Sequence, residues 1–169
     1  MSRPLDGPLI ERIARCVKRY SGMNLEAFTN VGALRFYSYS RSYERKHHTS
    51  PLAFSKYNGK LYVQKPTVGL IVEEDCLAFV ILHEIGHLVG KRGEGEATDF
   101  ANLWLMKGKI LTQARVTEIN LGWRRARNIR SVRKRMRHLR DAKTNAGIDD
   151  DDLFEMALVD LMNCPYSPR

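Results

Sequence analysis

The chain has 169 residues, the size of one domain, and can bury roughly two thirds of the surface that its unfolded form exposes. Apolar residues make up 43% and charged residues 28%, which excludes wholesale disorder, collagen-like repeats and coiled-coil composition. Lysine and arginine number 28 against 19 acids, a formal charge of +9 that favours acidic partners without bearing on fold.

The longest apolar run, residues 77–82, is far too short to cross a bilayer, so no membrane association is expected. Residues 1–20 carry Asp6, Glu11, Arg12 and Arg15 and lack the apolar stretch of a signal peptide. Cys16, Cys76 and Cys164 are widely spaced and form no CxxC pair, which points to free thiols in a reducing, cytoplasmic compartment.

In chain order, Leu9, Ile10, Ile13, Ala14 and Val17 predict an amphipathic helix that Ser21 and Gly22 stop. Residues 33–39 are β-prone. Residues 52–57 and 60–65 are two further strand candidates around Asn58-Gly59, a strong hairpin signal because both positions tolerate positive φ. Residues 73–89 are apolar on nearly every side and predict a buried helix, and residues 94–106 a second one after the Gly90–Gly93 break. Ile119, Trp123, Ala126, Ile129, Val132, Met136 and Leu139 recur at steps of three and four, predicting one long helix. Asp150 and Asp151 are suited to cap a last helix. The order predicts an α+β fold with a small antiparallel sheet. A core over residues 1–110 is expected, with a basic helical extension over 111–169 packed on or beside it.

The segment that points to chemistry is His83-Glu84-Ile85-Gly86-His87. Histidines four apart project from one helix face, about a turn from each other. Two such imidazoles can share one Zn²⁺. Glu84 then lies beside the metal, placed to take a proton from an attacking water and pass it to a leaving amine. This is the HExxH pattern of metallohydrolases. The apolar flanks Val80, Ile81, Leu82, Ile85, Leu88 and Val89 would bury the helix and keep the site dry. Two ordinary core or surface histidines are the bland alternative, and burying them unpaired with a glutamate is costly.

A third protein ligand is needed. Gly93 stands where a metzincin has its third histidine, which excludes that arrangement. If the Gly90–Gly93 turn reverses the chain, Glu94, Ala97, Thr98 and Ala101 share the face of the second helix nearest the first. Glu94 is the preferred ligand. Glu96 is the alternative, with a solvated role at the helix N-terminus as its simpler reading.

HEIGH followed by Glu94-Gly95-Glu96-Ala97-Thr98-Asp99-Phe100-Ala101 resembles the ImmA/IrrE-type zinc peptidases, a gluzincin-like group. The similarity covers residues 61–106. It implies a zincin-like core with His83, His87 and Glu94 as zinc ligands and Glu84 as general base. It also implies a cleft edged by the strand at 60–65, where a protein substrate could add as an extra strand. Members of that group often cleave helix-turn-helix repressors. Thr98 departs from the Asn or Asp that supports a ligating histidine in the group, leaving Thr98 itself or Asp99 to orient that imidazole.

Arg124, Arg125, Arg127, Arg130, Arg133, Lys134, Arg135, Arg137 and Arg140 form a run without an acid, and nucleic acid is a candidate partner for this helix. A solvated helix whose charges meet Asp149–Asp152 accounts for it equally well. No CxxC ribbon accompanies it, which argues against a SprT-like DNA-repair protease. His47 and His48 fit a solvent-exposed loop better than a second metal site. Among Tyr37, Tyr39, Tyr57 and Tyr62, packing is the simpler role and oxyanion stabilisation the sharper one. The leading expectation is a zinc-dependent endopeptidase. The alternatives are a nucleic-acid-binding protein or an inactive scaffold with a degenerate or structural zinc site.

Overall fold

A computed structural model of the chain describes residues 3–4, 7–25, 35–37, 53–56, 60–64, 71, 73–142 and 147–163. Six helices dominate it: α1 (Gly7–Ser21), α2 (Glu74–Leu88), α3 (Glu94–Lys107), α4 (Gln113–Ala126), α5 (Ile129–Asp141) and α6 (Asp150–Asn163). Four short strands, β1 (Arg3–Pro4), β2 (Arg35–Tyr37), β3 (Ala53–Lys56) and β4 (Lys60–Gln64), are described by their backbone, with Leu61 alone also seen to be buried.

The α+β expectation, with its small antiparallel sheet, is corrected. Where backbone and side chains are both described, 79% of residues are helical and no sheet is present. The strand backbones pair in a mixed and not an all-antiparallel way: β1 with β2, and β3 with β4 as the hairpin signal predicts, are antiparallel. Their order is β1-β2-β4-β3, and β2 runs parallel to β4 from Arg35 opposite Tyr62 to Tyr37 opposite Gln64. β-prone residues mark where strands can form, but among the residues whose side chains are described the buried apolar core is carried mostly by helices, with Leu61 of β4 joining it.

Helix α2 is the axis of the fold. Every residue from Asp75 to Gly86 is buried, as the all-round apolar sequence requires. Helix α1 packs against it through Ile13, Cys16 and Val17. α3, α4 and the β3–β4 backbone cover other sides. The first turn of α2 holds a buried carboxylate, Asp75. Arg115 of α4 grips it with both arms, Nε donating to Oδ2 at 2.7 Å and a terminal nitrogen to Oδ1 at 3.0 Å. The Cys76 thiol beside it donates to the Met162 carbonyl of α6 at 3.1 Å, and burial pushes this thiol up to about 12.

The single long helix expected after residue 111 is also corrected. It is two helices, α4 and α5, because the Asn128 side chain accepts from the backbone N–H groups of Arg130 (3.0 Å) and Ser131 (3.2 Å) and so starts a new helix. The apolar stripe crosses the break because both helices turn their apolar faces to the same core. That core is one cluster reaching from Ile13 to Met162, and it runs across residue 110 through Val116, Ile119, Trp123 and Val132. Asp149, one residue before the expected caps, accepts from Asp152 N–H at 2.8 Å at the start of α6.

Candidate metal centre

The centre sits on the last turns of α2, where helix termination and ligand placement are one event. The turn after α2 needs Gly90 at φ 96°, a conformation open to glycine. Gly90 N–H donates to the His87 carbonyl at 3.2 Å, and Lys91 N–H to the Gly86 carbonyl at 3.0 Å. The chain then re-enters as α3, alongside α2. A methyl group on Gly86 would stand 3.1 Å from Ala97 Cα and 3.3 Å from its carbonyl oxygen, so the glycine of HEIGH sets how closely the helices approach. Ala97 and Ala101 are fully buried in that contact.

His83, Glu84 and His87 come together as the sequence predicts, with one potential ligand atom from each lying within 4.8 Å of the others. This cluster could hold a metal ion. His83 and Glu84 are buried and His87 is half-buried. Glu94 joins them from α3. Its Oε2 lies 3.0 Å from His83 Nε2, and its Oε1 lies 3.8 Å from His87 Nε2. Ligand atoms around one tetrahedral zinc stand about 3.3 Å apart, given bonds of about 2.0–2.2 Å. The two observed separations bracket that value.

The proton arrangement fits the same end. His87 Nδ1 lies 2.7 Å from the Lys91 carbonyl, which can only accept, so Nδ1 carries the proton. In the neutral ring, the Nε2 lone pair then faces a carboxylate oxygen, two acceptors with room for a cation between them. His83 Nδ1 is 3.3 Å from the Thr98 hydroxyl, which can accept its proton and leave Nε2 as a donor of electrons to a metal. Thr98, and not the exposed Asp99, therefore occupies the supporting position. Burial is the main influence on His83 and lowers its pKa to about 4, so the ring is neutral near pH 7. Burial works to raise the Glu94 carboxyl, but the hydrogen bond and charge of Arg127, together with both imidazoles, outweigh it and hold the pKa below its usual value.

Glu96 is used otherwise. Its carboxylate accepts from Gly93 N–H at 3.0 Å, closing the N-terminus of α3. His47, His48, Tyr39 and Tyr57 lie outside the described residues, and Tyr37 and Tyr62 are described in backbone only.

Three contributions were not foreseen. Trp123 of α4 lies with its ring centroid 4.9 Å from that of His83 and 5.7 Å from that of Phe79, forming an aromatic wall. Its indole N–H is buried without a hydrogen-bond partner among the described residues. Arg127, just past the end of α4, lies over the Trp123 ring at 5.5 Å and forms an ion pair with Glu94 Oε2. The Lys91 carbonyl fixes His87. Trp123 stands in the sequence as one member of the apolar stripe and Arg127 as one member of the basic run, neither pattern pointing to the centre, and a backbone carbonyl leaves no signal. No protein-family model, curated protein or solved structure matches the chain.

Proposed function

We propose that the chain is a zinc-dependent endopeptidase of the kind its resemblance to the ImmA/IrrE-type peptidases implies. The observation that supports this best is the convergence of His83 Nε2, His87 Nε2 and the Glu94 carboxylate, with both Nδ1 atoms engaged elsewhere and the Glu84 carboxylate close to the two imidazoles. Nitrogen and oxygen donors in this number suit zinc and leave a fourth position for chemistry. Zinc held there would act as a Lewis acid on the scissile carbonyl. Glu84, buried beside the imidazoles, takes a proton from the attacking water and delivers it to the departing amide nitrogen. Phe79 and Trp123 exclude bulk water from the His83 side, which strengthens each electrostatic contact in the site. The substrate is a protein, and the resemblance favours a regulatory DNA-binding one.

Elemental analysis tests the ligand set directly. The wild-type chain is expected to carry close to one zinc, and Glu94→Ala markedly less. A wild-type chain that takes up no zinc even when the metal is supplied overturns the reading. With a cleavable protein substrate, Glu84→Gln is expected to keep its zinc while losing about 10²- to 10⁴-fold in rate. Full proteolysis by that variant would sink the assigned role of Glu84.

A further inference from the structure

Helix α5 carries a one-sided charge for which no contact of the fold accounts. Arg130, Arg133, Lys134 and Arg137 follow the i, i+3, i+4, i+7 spacing of a single helix face, and all four are exposed. The helix is held to the core from another side, where Val132 is buried and Met136 and Leu139 pack beside it. The arginines that do meet acids are different ones. Arg135 pairs with Asp160, and Arg140 with Asp150, both on α6. Among the described residues, no carboxylate pairs with the four cations of the exposed face.

These four also oppose one another. Arg130 neighbours Arg133 and Lys134 at helical spacing, and Arg137 neighbours the same two, making four like-charge contacts that work against the helix. Asp141, one turn beyond Arg137, is the single acid at the same spacing, so repulsion outnumbers attraction along this face and no folding role is evident for its charge.

We propose that this face of α5 binds the phosphate backbone of double-stranded DNA. Three of the four residues are arginines, whose planar fork matches phosphate oxygens in pairs. Along the helix axis the four span about 10 Å, a line of charge that can follow one strand of a duplex. The face has no Asn or Gln for adenine edges, and its cations are assigned to phosphate oxygens, so binding without strong sequence preference is expected. α5 has no Phe, Tyr or Trp on which unpaired bases could stack, and its one ring, the exposed His138, gives no series of platforms for successive bases, which favours a duplex over single strands as the ligand. Asp150 and Asp160 meet the helix on its α6 side. Asp141, at the C-terminal end of the exposed face, is the one acid of α5 and forms no ion pair with the four cations among the described residues, so the face keeps a net positive charge for a denser polyanion.

The test uses the full chain and a fluorescein-labelled 20-base-pair duplex of arbitrary sequence, followed by anisotropy over a salt series. Four phosphate contacts give a slope of log K against log salt of about −3.6. The triple variant Arg133→Gln, Lys134→Gln, Arg137→Gln is expected to lose at least tenfold in affinity at low salt and to flatten the slope to about −1. The control, Arg135→Gln with Arg140→Gln, removes two arginines already paired in the fold and is expected to leave the slope near that of wild type. Circular dichroism establishes that each variant is folded, and the triple variant is expected to melt no lower than wild type because it relieves repulsion. Absence of binding by wild type at low salt overturns the proposal. So does an equal loss in the triple variant and the control, or tighter binding to a poly-glutamate peptide or a single strand than to the duplex.

Discussion

Helices α2 and α5 are of nearly equal length and treat charge in opposite ways. Helix α2 takes Asp75, His83 and Glu84 out of water and answers the first two with partners from other helices: Arg115 for Asp75, and Thr98 and Glu94 for His83. Helix α5 keeps most of its cations in water, where solvent screens them and partners are optional. A count of charges along the sequence makes α5 the conspicuous segment. The structure shows that the scarce, buried charges of α2 are the ones the fold is arranged around, because an ionised group in a dry interior is costly until it is satisfied.

The contrast can be broken most directly at its ion pairs. Arg115→Met strands the buried Asp75 carboxylate and is expected to lower stability by about 3 kcal/mol or more in urea unfolding. Arg140→Gln, at an exposed pair, is expected to cost under about 1 kcal/mol. Similar losses from both would mean that burial does not separate the two helices.

Acid provides a second probe, of nearly the same size. In the metal-free chain His83 has its pKa lowered from 6.5 to about 4. The unfolded chain therefore binds this proton first as pH falls. The neutral ring's contribution to stability is complete above about pH 6.5 and is lost progressively down to about pH 4, amounting to about 3 kcal/mol. Unfolding midpoints measured across that window should fall with pH in wild type and fall less steeply in His83→Phe. A wild-type stability that is flat over the window would show His83 to be better solvated than its burial implies.

The smallest effect belongs to α5. Arg133→Gln removes like-charge contacts at helical spacing and is expected to raise stability by a few tenths of a kcal/mol at low salt, with the gain vanishing as salt is added. A loss instead would mean that Arg133 is structurally engaged.

Much of the candidate centre was legible in the sequence because its signals are local. HExxH places His83, Glu84 and His87 by helical spacing alone, and the small residues Ala97 and Ala101 marked the face of α3 that brings Glu94 near. The Thr98 hydroxyl was among the possible supports for one imidazole. What the sequence did not reveal depends on tertiary geometry. Asn128 breaks the long apolar stripe with two hydrogen bonds that periodicity cannot register, and the break leaves Arg127 at the end of α4, paired with Glu94. Trp123 looked like one more core residue, and it is one, but its neighbour in the core is a candidate metal ligand. The fold class went astray for a related reason. Short β-prone runs carry a local signal for strands but none for how much of a fold is helical, and five helices from α2 onward follow them.

One peptide group joins these levels. Lys91 lends its N–H to the end of α2 and its carbonyl to His87, while its own side chain is exposed and idle in both tasks. The centre thus contains a component that side-chain scanning passes over, since replacing Lys91 by alanine leaves its peptide intact. What the site requires at this point is a length of chain and a direction of turn. For anyone transplanting the centre into another helical protein, the unit to carry is the whole stretch from His83 to Thr98, with its residue count unchanged.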